Sequence, residues 1–350
     1  MSAKPLPNYP AGTVINDRYE FLYKLGSDGH VYAARDRHLD KTVALKLLDP
    51  IVGESARSWD EARRLEALKS RCLLEVLNAD VDGPSDIRFI VTPLAKGGDV
   101  GALAKDVGLG LQQSVRIIRH IAAGIDRIHA AGMVHRDIKP GNALVSGDDV
   151  VVSDLGYCAI LDSDGKAARN GSWCTVAPEV AAGGDCTVLS DVYSLGATAF
   201  YVLAGEYPVS LRYSEEGQRD RIMAGEIRNL RDLAPHVPQS AATVIRKALK
   251  LNPVDRHSTA EEFANALVGA VDGRRDWSRV LHPGHSFCLR GEPFKTRAGV
   301  VICSEPEGAN VRLIARNEPS MRRLKGNTDL VIAHDYLSAK LRTLVASLSS

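Results

Sequence analysis

The stretch Val134-His135-Arg136-Asp137-Ile138-Lys139-Pro140-Gly141-Asn142-Ala143-Leu144-Val145 constrains this chain more than any other. Apolar runs at both ends predict two short buried strands, and the polar residues between them predict a loop held at each side. Asp137, Lys139 and Asn142 stand at fixed offsets in that loop. A carboxylate there can accept a hydroxyl proton, an ammonium can neutralise a phosphoryl oxygen, and a carboxamide oxygen can ligate a hard cation. A polar turn of no chemical consequence is the competing reading of this stretch taken alone.

Composition narrows the class. At 350 residues the chain exceeds one small core, and 45% hydrophobic with 25% charged residues is the make-up of a globular protein, not a disordered or fibrous one. There is no apolar run of bilayer length, and the Pro-containing start lacks a signal-peptide layout, so membrane insertion is not expected. Cys72, Cys158, Cys174, Cys186, Cys288 and Cys303 contain no C-x-x-C pair, which predicts a reduced, cytoplasmic protein without structural zinc. A net charge of +1 gives no reason to expect nucleic acid. From Asp272 onward, 13 Lys/Arg stand against 8 Asp/Glu, so the tail is basic and the preceding part acidic. A separate partner for the tail, or the acidic body of the same chain, would answer that asymmetry.

Alternation and turn residues predict strands over Arg18–Leu25, Val31–Asp36, Thr42–Leu48 and Ile87–Thr92. Lys46 falls on the same face of its strand as Ala44, where a buried ammonium needs a carboxylate partner. Glu61 in the helical run Ser58–Lys69 is the first candidate, and Glu66 on another face is the second. Gln113–Ala131 carries Val115, Ile118, Ile121, Ala122, Ile125 and Ile128 at helical spacing, and Gly132 ends it. Val150-Val151-Val152-Ser153-Asp154-Leu155-Gly156 reads as a buried strand delivering a carboxylate.

Taken together and in this order, these motifs resemble those of the eukaryotic-type (Hanks-type) serine/threonine protein kinases, in a bacterial-style member. The resemblance covers about Gly12 to Val268. His135-Arg136-Asp137 with Asn142 matches the catalytic loop, Val43-Ala44-Leu45-Lys46 the lysine strand, and Asp154-Leu155-Gly156 the metal-binding triplet with Leu in place of Phe. It implies an α+β, bilobal fold: a β-rich N-lobe over about 12–93 and a helical C-lobe over about 96–268. Residues 1–11 are expected to be a flexible lead-in, 269–276 a linker and 277–350 a small α+β accessory domain.

The resemblance also implies roles. Asp137 would act as base or hydroxyl-orienting group, Lys139 would sit on the transferred phosphate, and Lys46 with Glu61 would hold ATP phosphates. Asn142 and Asp154 would ligate Mg2+, with Mn2+ as a substitute. Leu25, Gly26, Gly29, Val31, Ala44, Thr92, Pro93, Ala95 and Leu144 would line the ATP site, with Thr92 as gatekeeper and the Pro93 carbonyl and Ala95 backbone facing adenine. Asp99 would reach the ribose or cap the helix expected over Val100–Asp106. Leu25-Gly26-Ser27-Asp28-Gly29-His30-Val31 departs from the family by being two residues shorter and lacking the middle glycine, which bears on phosphate coverage. Ser172 stands for the family's threonine, positioned to bridge Asp137 and Lys139, and Thr175 for its tyrosine. Ser163, Ser172 and Thr175 are the hydroxyl candidates of the activation segment, and Arg136 would be met by a phosphate on Ser163 or by Asp162 and Asp164. Asp191 would anchor the catalytic-loop backbone, Glu179 would pair with Arg256, and Leu65, His135 and Leu155 would form a spine between the lobes. His129, like His135, is read as a core histidine.

Beyond Val268 no resemblance holds. Ser286–Arg290, Gly299–Cys303 and Asn310–Arg316 predict strands, and Asp335–Leu348 a helix. Trp277, His282 and His285 suggest a metal site, but without a third ligand, packing or surface exposure is the preferred reading. Arg322-Arg323-Leu324-Lys325 is read as a solvated loop rather than a phosphate site. The expected function is γ-phosphoryl transfer from Mg-ATP to protein Ser/Thr hydroxyls, including autophosphorylation within a dimer. The alternative is a pseudokinase-like nucleotide-binding scaffold, favoured only by the short glycine turn.

Overall fold

Val43, Leu45 and Leu47 bury one face of their strand while Ala44 and Lys46 occupy the other, which is the period-two pattern of a half-buried sheet. A computed structural model of the chain describes residues 8–26, 30–48, 59–324 and 330–349. Among these, the N-terminal lobe holds a six-stranded antiparallel sheet in the order β1-β2-β3-β4-β6-β5. Its strands are β1 (Val14–Ile15), β2 (Tyr19–Leu25), β3 (Val31–Asp36), β4 (Lys41–Leu47), β5 (Asn78–Asp82) and β6 (Ile87–Pro93). Helix α1 (Asp60–Leu68) buries Glu61, Ala62, Leu65 and Leu68. Tyr19, Phe21, Tyr32, Val43, Leu45 and Phe89 form the sheet's own core. Of the lead-in expected to be flexible, residues 1–7 lie outside the described residues, while Tyr9 stacks on Phe21 at 4.7 Å between centroids and Asn8 accepts the Tyr32 hydroxyl at 3.0 Å.

The hinge leads into α2 (Val100–Ala104) and the long α3 (Leu111–His129), whose expected apolar stripe is buried. The loop over residues 135–142 lies between β7 (Met133–Val134) and the hairpin of β8 (Ala143–Ser146) with β9 (Asp149–Val152). Strand β10 (Ala159–Ile160) pairs back onto β7, tethering the segment that follows Asp154. The helices α4 (Pro178–Ala181), α5 (Val188–Ala204), α6 (Glu215–Ala224), α7 (Leu230–Leu233), α8 (Gln239–Ala248) and α9 (Ala260–Val271) complete the lobe. Helix α5 is largely apolar and is buried along almost its whole length, with its buried polar residues Asp191, Ser194 and Thr198 all hydrogen-bonded. It ends at Gly205, whose φ of 73° and approach to the Val107 amide leave no room for a Cβ.

The tail forms a five-stranded antiparallel sheet among the described residues, in sequence order: β11 (Trp277–Val280), β12 (Phe287–Gly291), β13 (Gly299–Glu307), β14 (Asn310–Glu318) and β15 (Leu330–Ala333). Helix α10 (Leu337–Leu348) covers one face, and Trp277, Leu289, Ile302, Leu313 and Leu341 make the core between them. The linker expected at 269–276 is much shorter, because α9 continues to Val271 and Arg275 is already buried. Its guanidinium donates to the carbonyls of Leu348, Glu292 and Ala298, which closes the tail on itself. The tail also docks on the acidic body. Asp276 accepts the Gln112 amide at the start of α3 (3.0 Å), and Arg342 pairs with Asp232 (2.6 Å).

Candidate active site

Strand β4 aims Lys46 into the cleft, where Nζ lies 2.8 Å from Glu61 Oε2 and 2.7 Å from Asp154 Oδ1. One ammonium therefore ties a strand, helix α1 and the segment after β9 together. Burial works against the charge on Lys46, but the carboxylates of Glu61 and Asp154 outweigh it and hold the ammonium above its ordinary range. Burial also pushes Glu61 up, Lys46 offsets only part of this, and Asp154 adds repulsion. Glu66, the other candidate partner, pairs instead with Lys69 at the surface. Asp154 adopts a left-handed backbone at φ 61°, a conformation uncommon outside glycine. Arg64 on α1 donates to the Leu155 and Gly156 carbonyls just beyond it, a positioning contact that sequence reading did not single out.

The loop over residues 135–142 is built around Asp137, which is 4% exposed. One carboxylate oxygen accepts the Ser172 hydroxyl at 2.6 Å and the Ser172 amide at 3.1 Å. The other accepts Asn142 Nδ2 at 3.0 Å and faces Lys139 Nζ at 2.8 Å. Burial raises this carboxyl, but the hydrogen bonds from Lys139 and Ser172 prevail, so its pKa lies below the usual range. Lys139 also contacts Ser172 Oγ at 3.0 Å, which completes the bridge expected of that hydroxyl. Gly171 before it has φ 141° and passes so close to the Arg136 carbonyl that a side chain would crowd it.

Behind the loop, Asp191 is 1% exposed and accepts three bonds: the His135 amide (2.8 Å), the Arg136 amide (3.0 Å) and His129 Nε2 (2.9 Å). They hold Arg136 at φ 70°, again left-handed. Burial opposes the charge on Asp191, but His129 and the loop groups keep its pKa low. His135 Nδ1 accepts the Asp137 amide at 3.2 Å, so its ring proton is on Nε2, which donates to the Ser153 carbonyl. Ser153 in turn donates its amide and hydroxyl to the Asn142 carbonyl, joining Asn142 to the residue before Asp154. Leu65, His135 and Leu155 are all buried. Arg256, whose side chain is wholly buried, grips Glu179 with two bonds of 2.7 and 2.8 Å.

Two expectations need correction. Arg136 is not met by Asp162 or Asp164. Its guanidinium donates to the carbonyls of Tyr157 (2.6 Å) and Ala168 (2.7 Å), whereas Asp162 caps its own turn through the amides of Asp164 and Lys166. Ser163 is exposed at the tip of that turn. Thr175 is 2% exposed, so its hydroxyl is not an accessible activation-segment acceptor. Asp99 takes the capping role offered as its alternative, with Oδ1 accepting the Ala102 amide at 2.8 Å.

Around the hinge, Val31, Ala44, Pro93, Ala95 and Leu144 are half-buried and Thr92 is buried. The Ala95 carbonyl already accepts the Gly98 amide. Leu25 pairs with Val31 at the end of β2, and Gly26 follows at φ 68°. Gly29 and the middle of that turn, with Ser58 and Lys325, lie outside the described residues.

Residues 19–267 match the family model described as "Protein kinase domain". The chain is 30% identical over 274 residues to a probable serine/threonine-protein kinase of Clostridium perfringens, covering 73% of this chain and 38% of that protein. It is 28% identical over 284 residues to the serine/threonine-protein kinase PknA of Mycobacterium tuberculosis (75% and 64%). It is 30% identical over 275 residues to PrkC of Bacillus subtilis (75% and 42%), also a serine/threonine-protein kinase. The matched region spans less than two thirds of the length of each of these relatives.

Proposed function

Because the chain belongs to the protein kinase family, whose members use ATP and a divalent metal ion, we propose that it transfers the γ-phosphoryl group of ATP to serine and threonine hydroxyls of proteins. The observation that carries this reading is the assembly of Lys46, Glu61 and Asp154 beside Asp137, Lys139, Asn142 and Ser172, all directly bonded within each group.

Asp154 and Asn142 suit a hard cation. Asp154 presents a carboxylate, and Asn142 uses its amide nitrogen toward Asp137, which leaves its oxygen as a ligand. Mg2+ is the ion we assign, with Mn2+ as a substitute, and it would offset charge on the ATP phosphates. Lys46, held by Glu61, is placed to take up phosphate charge on the other side. Asp137 is a weak base, because the bonds that hold it favour the ionised form. Its task is to accept the hydrogen bond of an incoming hydroxyl and fix its direction, which a loose phosphoryl-transfer transition state rewards more than base strength. Lys139 supplies positive charge beside the oxygens that accumulate it, and a lysine at this position goes with serine/threonine over tyrosine specificity in the family. Val31, Ala44 and Leu144 would face the adenine, and the Pro93 carbonyl and Ala95 amide its edge.

Among the described residues no helix is long and apolar enough to cross a membrane. The six free cysteines support a cytoplasmic location, and autophosphorylation between two copies would make a dimer transiently necessary. Intact mass and site mapping after incubation with Mg-ATP test the proposal. Wild-type protein should gain phosphoserine or phosphothreonine, and Asp137→Asn should gain none. If neither protein gains phosphate nor labels a generic acceptor while both bind ATP, the chain is a nucleotide-binding scaffold.

A further inference from the structure

The accessory domain brings Cys303 from one strand together with three side chains, His282, His285 and Cys288, that follow one another at three-residue spacing. His282 and His285 lie in the turn between β11 and β12, where the His285 amide bonds back to the His282 carbonyl at 3.2 Å. Cys288 follows on β12. Cys303, on β13, is its direct cross-strand partner. Residues directly opposite each other in an antiparallel pair point to the same face, so both thiols project together. That face is the one opposite the domain core, because the neighbouring pair Leu289 and Ile302 belongs to the core beneath α10. His282 Nδ1 lies 3.2 Å from Cys303 Sγ, and His285 Nδ1 lies 3.2 Å from Cys288 Sγ. One donor atom from each of the four residues falls within 4.8 Å of all the others.

We propose that His282, His285, Cys288 and Cys303 form a tetrahedral site for a borderline-soft divalent transition metal, zinc being the ion that fits best. Bonds of about 2.3 Å to sulfur and about 2.0–2.1 Å to nitrogen place the donors of a tetrahedral site roughly 3.3–3.8 Å apart. The four atoms meet that spacing after movements on the order of 1 Å. Two thiolates neutralise a divalent cation, two imidazoles complete the shell, and soft ligands of this kind select against Mg2+ and Ca2+. Binding releases both thiol protons to water and transfers no electrons, so no co-reactant is needed. Glu305 Oε1 stands 3.7 Å from His285 Nε2, on the ring edge away from the thiols. That is where a carboxylate orients a metal-bound imidazole.

Four protein ligands leave no open position, so the site is structural. It clips the β11–β12 turn onto the sheet. The same strand β11 carries Arg279, which donates to the Asp106 carbonyl of the C-terminal lobe, and it follows Asp276, which accepts the Gln112 amide at the start of α3. Metal loading therefore stiffens the edge of the tail that rests on the kinase domain.

The test uses the full chain, reduced and stripped by a chelator, then titrated with Co2+. The expected result is one equivalent bound per chain, with the intense visible bands of tetrahedral cobalt, thiolate charge transfer in the near ultraviolet, and displacement by Zn2+. Cys303→Ser should lose the charge-transfer band and stoichiometric binding. Should that variant fold poorly, His282→Ala, which changes an exposed turn residue, should still fold. It should weaken Co2+ binding by more than the roughly 10–100-fold that loss of an outer-shell partner costs. Failure of the reduced wild type to take up an equivalent of cobalt overturns the proposal. So does unchanged affinity in His282→Ala, or a Cys288–Cys303 disulfide whose reduction restores no metal binding.

Discussion

Removing one hydroxyl, Ser172→Ala, isolates the feature that sets the behaviour of Asp137. The lost bond is a 2.6 Å contact to a carboxylate that is almost fully buried, so solvent screening does not dilute it. A hydrogen bond to a charged group contributes about 1.5–3 kcal/mol. The Ser172 amide, Asn142 and Lys139 remain in place, so the lower end applies, and about 1.4 kcal/mol corresponds to roughly ten-fold in rate. The bond favours the ionised form, so its loss raises the pKa of Asp137. The protonated, inactive form then appears sooner as pH falls. Steady-state phosphorylation of a peptide across the acid range should show kcat down about ten-fold. The acid limb of kcat/KM should move to higher pH, and Ser172→Thr should restore both. If Ser172→Ala keeps the wild-type kcat and an unmoved acid limb, Asp137 is not governed by this contact and the reasoning fails.

Further outcomes follow from the same geometry. Asp191 has its carboxyl depressed below the ordinary value of 3.8, so it stabilises the fold above that pH and loses the contribution as pH falls through its lower native value. Asp191→Asn should lower the melting temperature at neutral pH by an amount equivalent to about 3–5 kcal/mol, as expected for breaking a buried charged network, and the gap to wild type should narrow in acid. Because Arg136 is satisfied by the Tyr157 and Ala168 carbonyls, Ser163→Ala should leave kcat toward an external peptide unchanged. A large loss in that variant would show that a phosphate on Ser163 is required after all.

Much of the site was legible in the chain itself, because its chemistry is carried by short-range offsets. Asp137, Lys139 and Asn142 share one loop, and the apolar stripe of α3 needs only the helical period to be read. The pairing of Lys46 with Glu61 was also accessible, since a buried charge demands a partner and few carboxylates qualified, whereas that of Glu179 with Arg256 was legible only through the resemblance to the kinase family. Edge strands were not. The two residues of β1, the polar β5, and β11 and β15 at the margins of the tail carry too little apolar alternation to stand out.

What tertiary structure decided were contacts that depend on register and on backbone groups. Arg136 looked as though it needed an anion, yet two carbonyls satisfy it, that of Tyr157 just before the β7–β10 pairing and that of Ala168 beside the Ala167–Cys186 bridge, and carbonyls leave no trace in a sequence. Thr175 read as an accessible hydroxyl until packing against α5 buried it, with Ser194 bonded to its carbonyl. The two histidines of the tail lacked a third ligand by spacing alone. Cys288 follows them closely in the chain, but Cys303 joins only because β12 and β13 pair in the register that sets it opposite Cys288. A shift of a single residue would turn one thiol to the other face, and the burial of Leu289 and Ile302 beneath α10 favours the observed register.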